Sequence, residues 1–415
     1  MTQLRVAIVH YTAPPVVGGV EAVMQAHARL LRSAGHAVTV IAGEGAREAL
    51  ASGTAYVGIP EFSSSHPRVQ QISRELEQGR VPAGFEELTA HLEESLRPLV
   101  AAADRVIVHN VFTKHFNVPL TAAIFRMLDS GELRRCIAWC HDFTWTSTSS
   151  RSKVRPGYPW DLLRSYRADV TYVVVSRRRQ LELAGLLGCP AERIRVVYNG
   201  VDPETLLGLS AEGLSLISRL GLWESDLVLL MPVRITQAKN IEFALQVTAA
   251  LKHQGLHPKL IVTGPPDPHD ARSWEYYQSL LALRRTLQVE QEMRFVYESG
   301  PQPGQPLTVA AEVIGDLFRA SDVLFMPSRR EGFGMPVVEA GLARLPIFCT
   351  AVPAADEIAS GEVNLFSADA GPQTVAASLA KWAENSATHR LRGRVRQTLT
   401  WDSLYRTTIL PLLEE

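Results

Sequence analysis

Pro327-Ser328-Arg329-Arg330-Glu331-Gly332-Phe333-Gly334-Met335-Pro336-Val337-Val338-Glu339-Ala340 is the stretch that decides the fold. The run before it, Asp322-Val323-Leu324-Phe325-Met326, is apolar and reads as a buried strand. A glycine-rich loop follows, then Pro336 at the first helical position, then an apolar helix. Loops that lead from strand ends into helices are where open α/β sheets bind ligands. Free N–H groups at the helix start suit an anion, and glycines let a ligand approach the backbone. Glu331 and Glu339 bracket the turn with seven residues between them. Pro336 and the two glycines exclude one continuous helix, which puts Glu331 on the loop and Glu339 in the first helical turn. The plainer alternative is a strand–loop–helix unit in which Glu339 only complements the helix dipole.

Strands and helices alternate on both sides of this stretch. Toward the N-terminus, Leu4 to Val9 reads as a strand, and a helix from about Gly19 stops at Gly35. Strands follow at Ala37 to Ala42, Val106 to Val108, Cys136 to Trp139, Tyr172 to Val175 and Ile194 to Val197, with helices near 85–103 and 117–128. Residues 43–83 give no clear period and are expected to include irregular loops. Tyr198-Asn199-Gly200-Val201-Asp202-Pro203 is a turn-rich junction, after which the alternation restarts. Strands are expected at Leu227 to Met231, Lys259 to Val262, Arg294 to Tyr297 and Pro346 to Cys349, with a Pro/Gly loop at 300–306 and a final helix from Trp401 to Leu413. Such alternation specifies parallel sheets covered by helices, hence an α/β fold class.

At 415 residues the chain exceeds one ordinary domain, and two of roughly 200 are expected. The expected division is 1–203, 204–395 and a returning helix over 396–415. A formal net charge of −1 gives no overall pull toward nucleic acid or anionic lipid. No run of 18 uncharged apolar residues predicts a spanning helix, and the first residues lack the pattern of a signal peptide. Cys136, Cys140, Cys189 and Cys349 fit no zinc spacing and read as reduced thiols, giving a cytoplasmic expectation. Charge is uneven. Residues 151–179 hold eight basic side chains against Asp161 and Asp169, a net +6, so the remainder carries −7. A solvated helix face is the ordinary explanation of such a run.

A second motif, Pro232-Val233-Arg234-Ile235-Thr236-Gln237-Ala238-Lys239-Asn240, also follows a strand and opens a helix. Arg234 and Lys239 can reach one site there, where a diphosphate leaving group would need cations. In the first half, Gly18-Gly19 sits between a strand and its helix, His109-Asn110 ends a strand, and His141-Asp142 follows one. His10, after the first strand, is a weaker candidate. No Gly-x-Gly-x-x-Gly and no Asp-x-Asp occurs.

Together these motifs resemble the retaining, nucleotide-sugar-dependent glycosyltransferases of the GT-B fold, the large family four. The Pro-Ser, the Glu-Gly-Phe-Gly core and the Pro and Glu-Ala around the Glu-x7-Glu signature carry the resemblance, with Arg234 and Lys239-Asn240. The resemblance implies two Rossmann-like domains facing across a cleft, with the C-terminal helix returning to the first. It implies catalytic roles for Glu331, His141, Arg234 and Lys239. Donor contacts would come from Gly19, Arg234, Lys239, Glu331, Gly332, Phe333, Gly334, Met335 and Glu339, with Glu339 on the ribose hydroxyls. His109, Asp142, Arg151, Lys153 and Arg155 would line the acceptor side, with Trp145, Tyr158 and Trp160 offering faces to sugar rings. No cofactor and no metal are expected; a nucleotide-diphosphate sugar is the co-substrate and a small hydroxyl compound the partner. Two departures stand out. Val233 replaces the family's Gly, and Thr350-Ala351-Val352-Pro353 replaces a Gly-Gly before Pro-Glu, with Glu357 keeping the acidic position.

The implied function is transfer of a hexose, with retention, to a small anionic acceptor such as a sugar phosphate or sugar acid. A phosphorylase or reversible disaccharide synthase is the alternative within the fold. A non-catalytic nucleotide-sugar-binding subunit is the alternative of another class. A peripheral membrane contact through the basic run, with a lipid-linked phosphate acceptor, is a further alternative.

Overall fold

A computed structural model describes residues 3–267, 271–302, 305–359 and 361–415. The chain divides into two compact units, Met1–Gly200 with Trp401–Glu415, and Val201–Thr400. Each is an α/β layer structure around a wholly parallel sheet.

The first unit contains β1 (Arg5–Val9), α1 (Gly19–Ser33), β2 (Ala37–Ala42), β3 (Ala55–Gly58), α2 (Pro67–Glu77), α3 (Gly84–Ala101), β4 (Arg105–His109), α4 (Val118–Asp129), β5 (Cys136–Cys140), β6 (Val170–Val174), α5 (Arg177–Leu187) and β7 (Ile194–Val196). The sheet order is β3-β2-β1-β4-β5-β6-β7, every pair parallel. The order reverses between β1 and β4, and the carboxyl ends beside such a reversal are where this class of sheet binds ligands. β4 and β5 are buried along their whole length, as strands covered on both faces must be.

One face of this sheet packs on α2, α3, α4 and α5, with Phe85, Leu88, Leu92 and Phe143 inside. On the other face Val23, Met24, Leu30 and Leu31 of α1 share a core with Trp401, Leu404, Tyr405, Ile409, Leu412 and Leu413. The C-terminal helical segment, as expected, therefore completes the N-terminal unit. A Cβ at Gly200 would come 2.7 Å from the Trp401 ring, so the junction backbone lies directly against that side chain.

Residues 43–83, hard to read in the sequence, hold β3 and α2 between loops. β3 is a four-residue edge strand with no fully buried residue, so it carries no hydrophobic run. α2 buries only Val69, Ile72 and Leu76, spaced three and four apart on one face, and is otherwise polar.

The second unit contains α6 (Pro203–Leu207), α7 (Ala211–Leu220), β8 (Leu227–Met231), α8 (Ile241–His253), β9 (Pro258–Val262), α9 (Ala271–Thr286), β10 (Met293–Phe295), α10 (Ala311–Ala320), β11 (Val323–Met326), α11 (Met335–Leu342), β12 (Ile347–Thr350), α12 (Pro353–Ala359), β13 (Asn364–Phe366), α13 (Pro372–Asn385) and α14 (Ala387–Thr398). Its order, β10-β9-β8-β11-β12-β13, reverses between β8 and β11. β13, half-exposed and three residues long, is an edge strand that the hydrophobic pattern did not reveal. Residues 303 and 304 of the expected 300–306 loop lie outside the described residues. Among the described residues no helix is long and apolar enough to cross a membrane.

Candidate functional site

The two motifs of the second unit leave adjacent strands, β8 and β11, at the point where the sheet order reverses. After β8 the chain makes a short turn of 3₁₀ helix over Gln237–Lys239, and Asn240 then takes the left-handed conformation, φ 54°, before α8 begins. After β11 an open loop carries Arg329 to Phe333, and Gly334, φ 89°, turns the chain into α11. A side chain at Gly334 would be strained in that conformation, which explains the glycine.

The two loops are tied together. Lys239 Nζ donates to both carboxylate oxygens of Glu331, at 2.7 and 2.8 Å. The Arg329 backbone N–H donates to the Ala238 carbonyl, and the Arg329 guanidinium donates to Glu242 at 2.6 Å and Asn240 at 3.2 Å. Cys349 at the end of β12 lies near Glu331; burial and that carboxylate push its thiol up to about 11. Arg234 leaves the same β8 loop but stays free of the tie. Its side chain is 62% exposed, with a loose 3.9 Å approach to Asp267. A Cβ on Gly264 would come within 2.6 to 2.9 Å of the backbone at Val233 and Arg234, so that glycine lets the β9 loop press against the arginine's loop.

Phe333 and Met335 are more than half exposed, and Glu339 is exposed with no hydrogen bond or ion pair to its carboxylate among the described residues. Glu339 is displaced from its expected place. The left-handed Gly334 starts the helix at Met335, so Pro336 is the second helical residue and Glu339 lies just past the first turn. Glu357 is exposed on α12.

In the first unit, β1, β4 and β5 end side by side, and four histidines gather there. His141 is buried; its Nε2 lies 3.1 Å from His109 Nδ1, and the two rings meet edge to edge, their centroids 5.4 Å apart and their planes 22° apart. Asn110, at φ 60°, turns its Oδ1 to accept from the backbone N–H groups of His141 and Asp142. His10 Nδ1 bonds the His109 carbonyl at 2.9 Å, and His27 packs edge-on to Trp139 and Trp401. Burial pushes His141 down to about 4 and His27 to about 3, so both are neutral near pH 7. Gly18 caps α1, where a Cβ would sit 2.1 Å from the Glu21 carboxylate; a Cβ on Gly19 would meet open space.

Placing His109 on the acceptor side is corrected: it is fully buried, because β4 turns it into the core, where it backs His141. Asp142 is exposed and pairs with Arg179 at 3.0 Å. It lines a cavity of about 860 Å³ with Lys114, Thr146, Ser147, Ser149, Arg178 and Arg179. Arg151, Lys153 and Arg155 are not among its lining residues. Lys153 pairs with Glu77 of α2, Arg155 donates to the Glu77 carbonyl, and Arg151 donates to the Trp145 carbonyl. Trp145 and Trp160 are buried rather than open to sugar rings, and Tyr158 alone of the three is exposed. Arg164 lies over the Trp145 ring, 4.0 Å from its centroid, and pairs with Asp161, while Arg167 pairs with Asp129 and Asp169.

Two family models match successive stretches of the chain: Glycosyltransferase Family 4 over residues 17–205 and Glycosyl transferases group 1 over residues 216–398. The chain belongs to this glycosyltransferase family. Among its relatives are mannosylglucosylglycerate synthase of Petrotoga mobilis, 22% identical over 64% of each chain, and D-inositol 3-phosphate glycosyltransferase of Kribbella flavida, 27% identical over 55% of this chain and 52% of that one. The chain thus spans less than two thirds of the length of these curated relatives. A glycosyltransferase from Rickettsia africae aligns over 100% of this chain and 99% of its own at 16% identity, with a TM-score of 0.38.

In this family member the site contains features that sequence reasoning passed over. Arg329 and Glu242, 87 positions apart, hold the loops after β8 and β11 together, and nothing in the local sequence of either signals it. Lys114 lines the cavity beside Asp142 from the turn after β4; a lone lysine after His109-Asn110 was the available signal. Among the described residues no group of three or more His, Cys, Asp or Glu could hold a metal ion.

Proposed function

We propose that this protein moves a hexose from a nucleotide-diphosphate sugar to a hydroxyl of a small anionic acceptor, with retention and without a metal. The observation that carries the reading is the paired loop system at the β8/β11 reversal. It offers Lys239, a largely exposed Arg234, and the glycine-linked start of α11 within one set of adjacent strand ends. A sugar diphosphate needs cations where negative charge grows on the departing phosphate, and backbone N–H groups to hold it. Catalysis of this kind is positioning and charge stabilisation. Arg234 and Lys239 would hold the diphosphate, Glu331 and the N–H groups of Phe333, Gly334 and Met335 the sugar and phosphate, and Glu339 the ribose. Attack on the face that the leaving group vacates retains configuration, with a phosphate oxygen taking the acceptor's proton.

The anionic acceptor is supported by the cavity beside Asp142. Lys114, Arg178 and Arg179 bring three cations to it, and hydroxyls of Thr146, Ser147 and Ser149 supply further donors. Arginine forks and hydroxyls suit a phosphate or carboxylate. Relatives named for inositol phosphate and for a glycerate glycoside fit the same class.

The test is a panel of nucleotide sugars crossed with matched neutral, phosphorylated and acidic acceptors, read by mass spectrometry. Phosphorylated or acidic acceptors should be preferred, and turnover should survive a chelator. Preference for neutral sugars would overturn the acceptor assignment. Activity lost to the chelator and restored by magnesium or manganese would overturn metal independence.

A further inference from the structure

We propose that His141 acts as a neutral hydrogen-bond donor through Nδ1, and that the buried His109 is the positioning residue that fixes this tautomer. The proposal rests on the reading of His141 as part of the transfer site and deepens it. His109 Nδ1 and His141 Nε2 are 3.1 Å apart, so one proton lies between them. Two would collide, and none would set two lone pairs face to face.

Which ring owns the proton follows from the far side of His109. Its Nε2 is buried and has no hydrogen-bond partner among the described residues. If His141 were the donor, a neutral His109 would carry its own proton on Nε2, an orphaned N–H in the core. Such buried N–H groups are rare and costly. If His109 donates from Nδ1, its Nε2 holds only a lone pair among the rings of His27 and Trp139. The neutral His141 then accepts at Nε2 and carries its proton on Nδ1.

The surroundings hold this state. The His10 Nδ1 bond to the His109 carbonyl must be a donation, because a carbonyl only accepts. Asn110 fixes the backbone of His141, and the nearly coplanar hydrogen bond to His109 fixes its ring. Burial keeps His141 uncharged near pH 7. A ring in this state has no free lone pair, so it is not a general base. It can donate to one oxygen of the sugar being transferred, and the acceptor's proton must leave by another route.

The first test needs no activity. Long-range ¹⁵N–¹H correlation spectra of the full unliganded chain should show His141, assigned by its loss in His141→Gln, with a protonated Nδ1 and a bare Nε2. A protonated Nε2 on His141 overturns the proposal whatever the enzyme's substrates prove to be. The second test uses His109→Asn, whose amide nitrogen can take the place of Nδ1, and His109→Leu, which has no donor. The asparagine variant should keep the His141 signature and turnover within roughly threefold. The leucine variant should lose the signature and about tenfold in kcat, with KM for the nucleotide sugar unchanged, the scale of one hydrogen bond. Equal losses in both variants at unchanged melting temperature would make His109 a packing residue only and overturn its positioning role.

Discussion

Arg234 and Lys239 are named by one motif, yet the fold sets them in different circumstances. Lys239 is mostly covered and committed to a nearly buried Glu331, whereas Arg234 is open. Lys239→Ala should therefore do two things. It removes a cation from the leaving group, lowering turnover about 10²-fold, and strands the Glu331 carboxylate, lowering the melting temperature. Arg234→Ala should lower turnover to a similar extent with no change in melting. Turnover and thermal unfolding measured on both variants separate the effects, and near-normal turnover in both would place the diphosphate elsewhere. His27 gives a second prediction at this scale. Both of its ring nitrogens are buried without partners, and burial lowers its pKa from 6.5 to about 3. The unfolded chain binds a proton between those values and the folded chain does not, so this stability is whole above about 6.5 and is lost as pH falls toward 3. His27→Phe should lose about 2 kcal/mol less than the wild type between pH 7 and 5, as read by chemical denaturation. Equal losses in the two proteins would show that protonation of His27 does not drive the acid sensitivity.

At the scale of elements, α14 is held by a buried charge cluster. Asp322 at the start of β11 accepts from Arg396 at 3.1 Å and from the Val228 backbone N–H at 2.9 Å, with Arg392 and His389 close by. Asp322→Asn leaves the nearly buried Arg396 unpaired and should cost about 3–5 kcal/mol, the usual result of removing one partner from a buried pair. A loss under 1 kcal/mol in urea unfolding would mean that water enters and compensates. Legibility in the sequence follows the same local-against-distant divide. Val323 to Met326, Gly334 and Pro336 announce a strand, a left-handed turn and a helix start through neighbours alone, so the signature loop could be read directly. Arg167 with Asp129 and Lys153 with Glu77 are pairs made by folding, so the basic run looked freer than it is. Trp145 and Trp160 looked like sugar platforms because a sequence does not say that both join the buried core on that face of the sheet. His109 was found as a strand-end histidine, but the direction of its side chain depended on packing that only the fold supplies.

For the whole molecule, the decisive feature is that the last fifteen residues belong to the first unit, not to the one that precedes them. Trp401, Leu404, Ile409, Leu412 and Leu413 fill the face of the first sheet that α1 covers only in part. His27 lies against Trp401, 5.6 Å between ring centroids, so the same residues back the histidine cluster. The second unit has its own two cores, neither containing a residue beyond 383. Trp401→Ala should therefore destabilise one unit selectively. Loss of a buried tryptophan costs about 3–5 kcal/mol. Native-state hydrogen exchange should show β1, β2 and α1 opening sooner in this variant, with β8, β9 and α8 keeping wild-type protection. Turnover should fall through the first unit as the backing of His27, His109 and His141 loosens, while a nucleoside diphosphate titrated into the variant should bind with wild-type affinity, because Arg234, Lys239 and Glu339, proposed to hold the diphosphate and ribose, lie between Val201 and Thr400. Equal loss of protection in both units would show that they unfold together and that the C-terminal segment stabilises the molecule as one cooperative body.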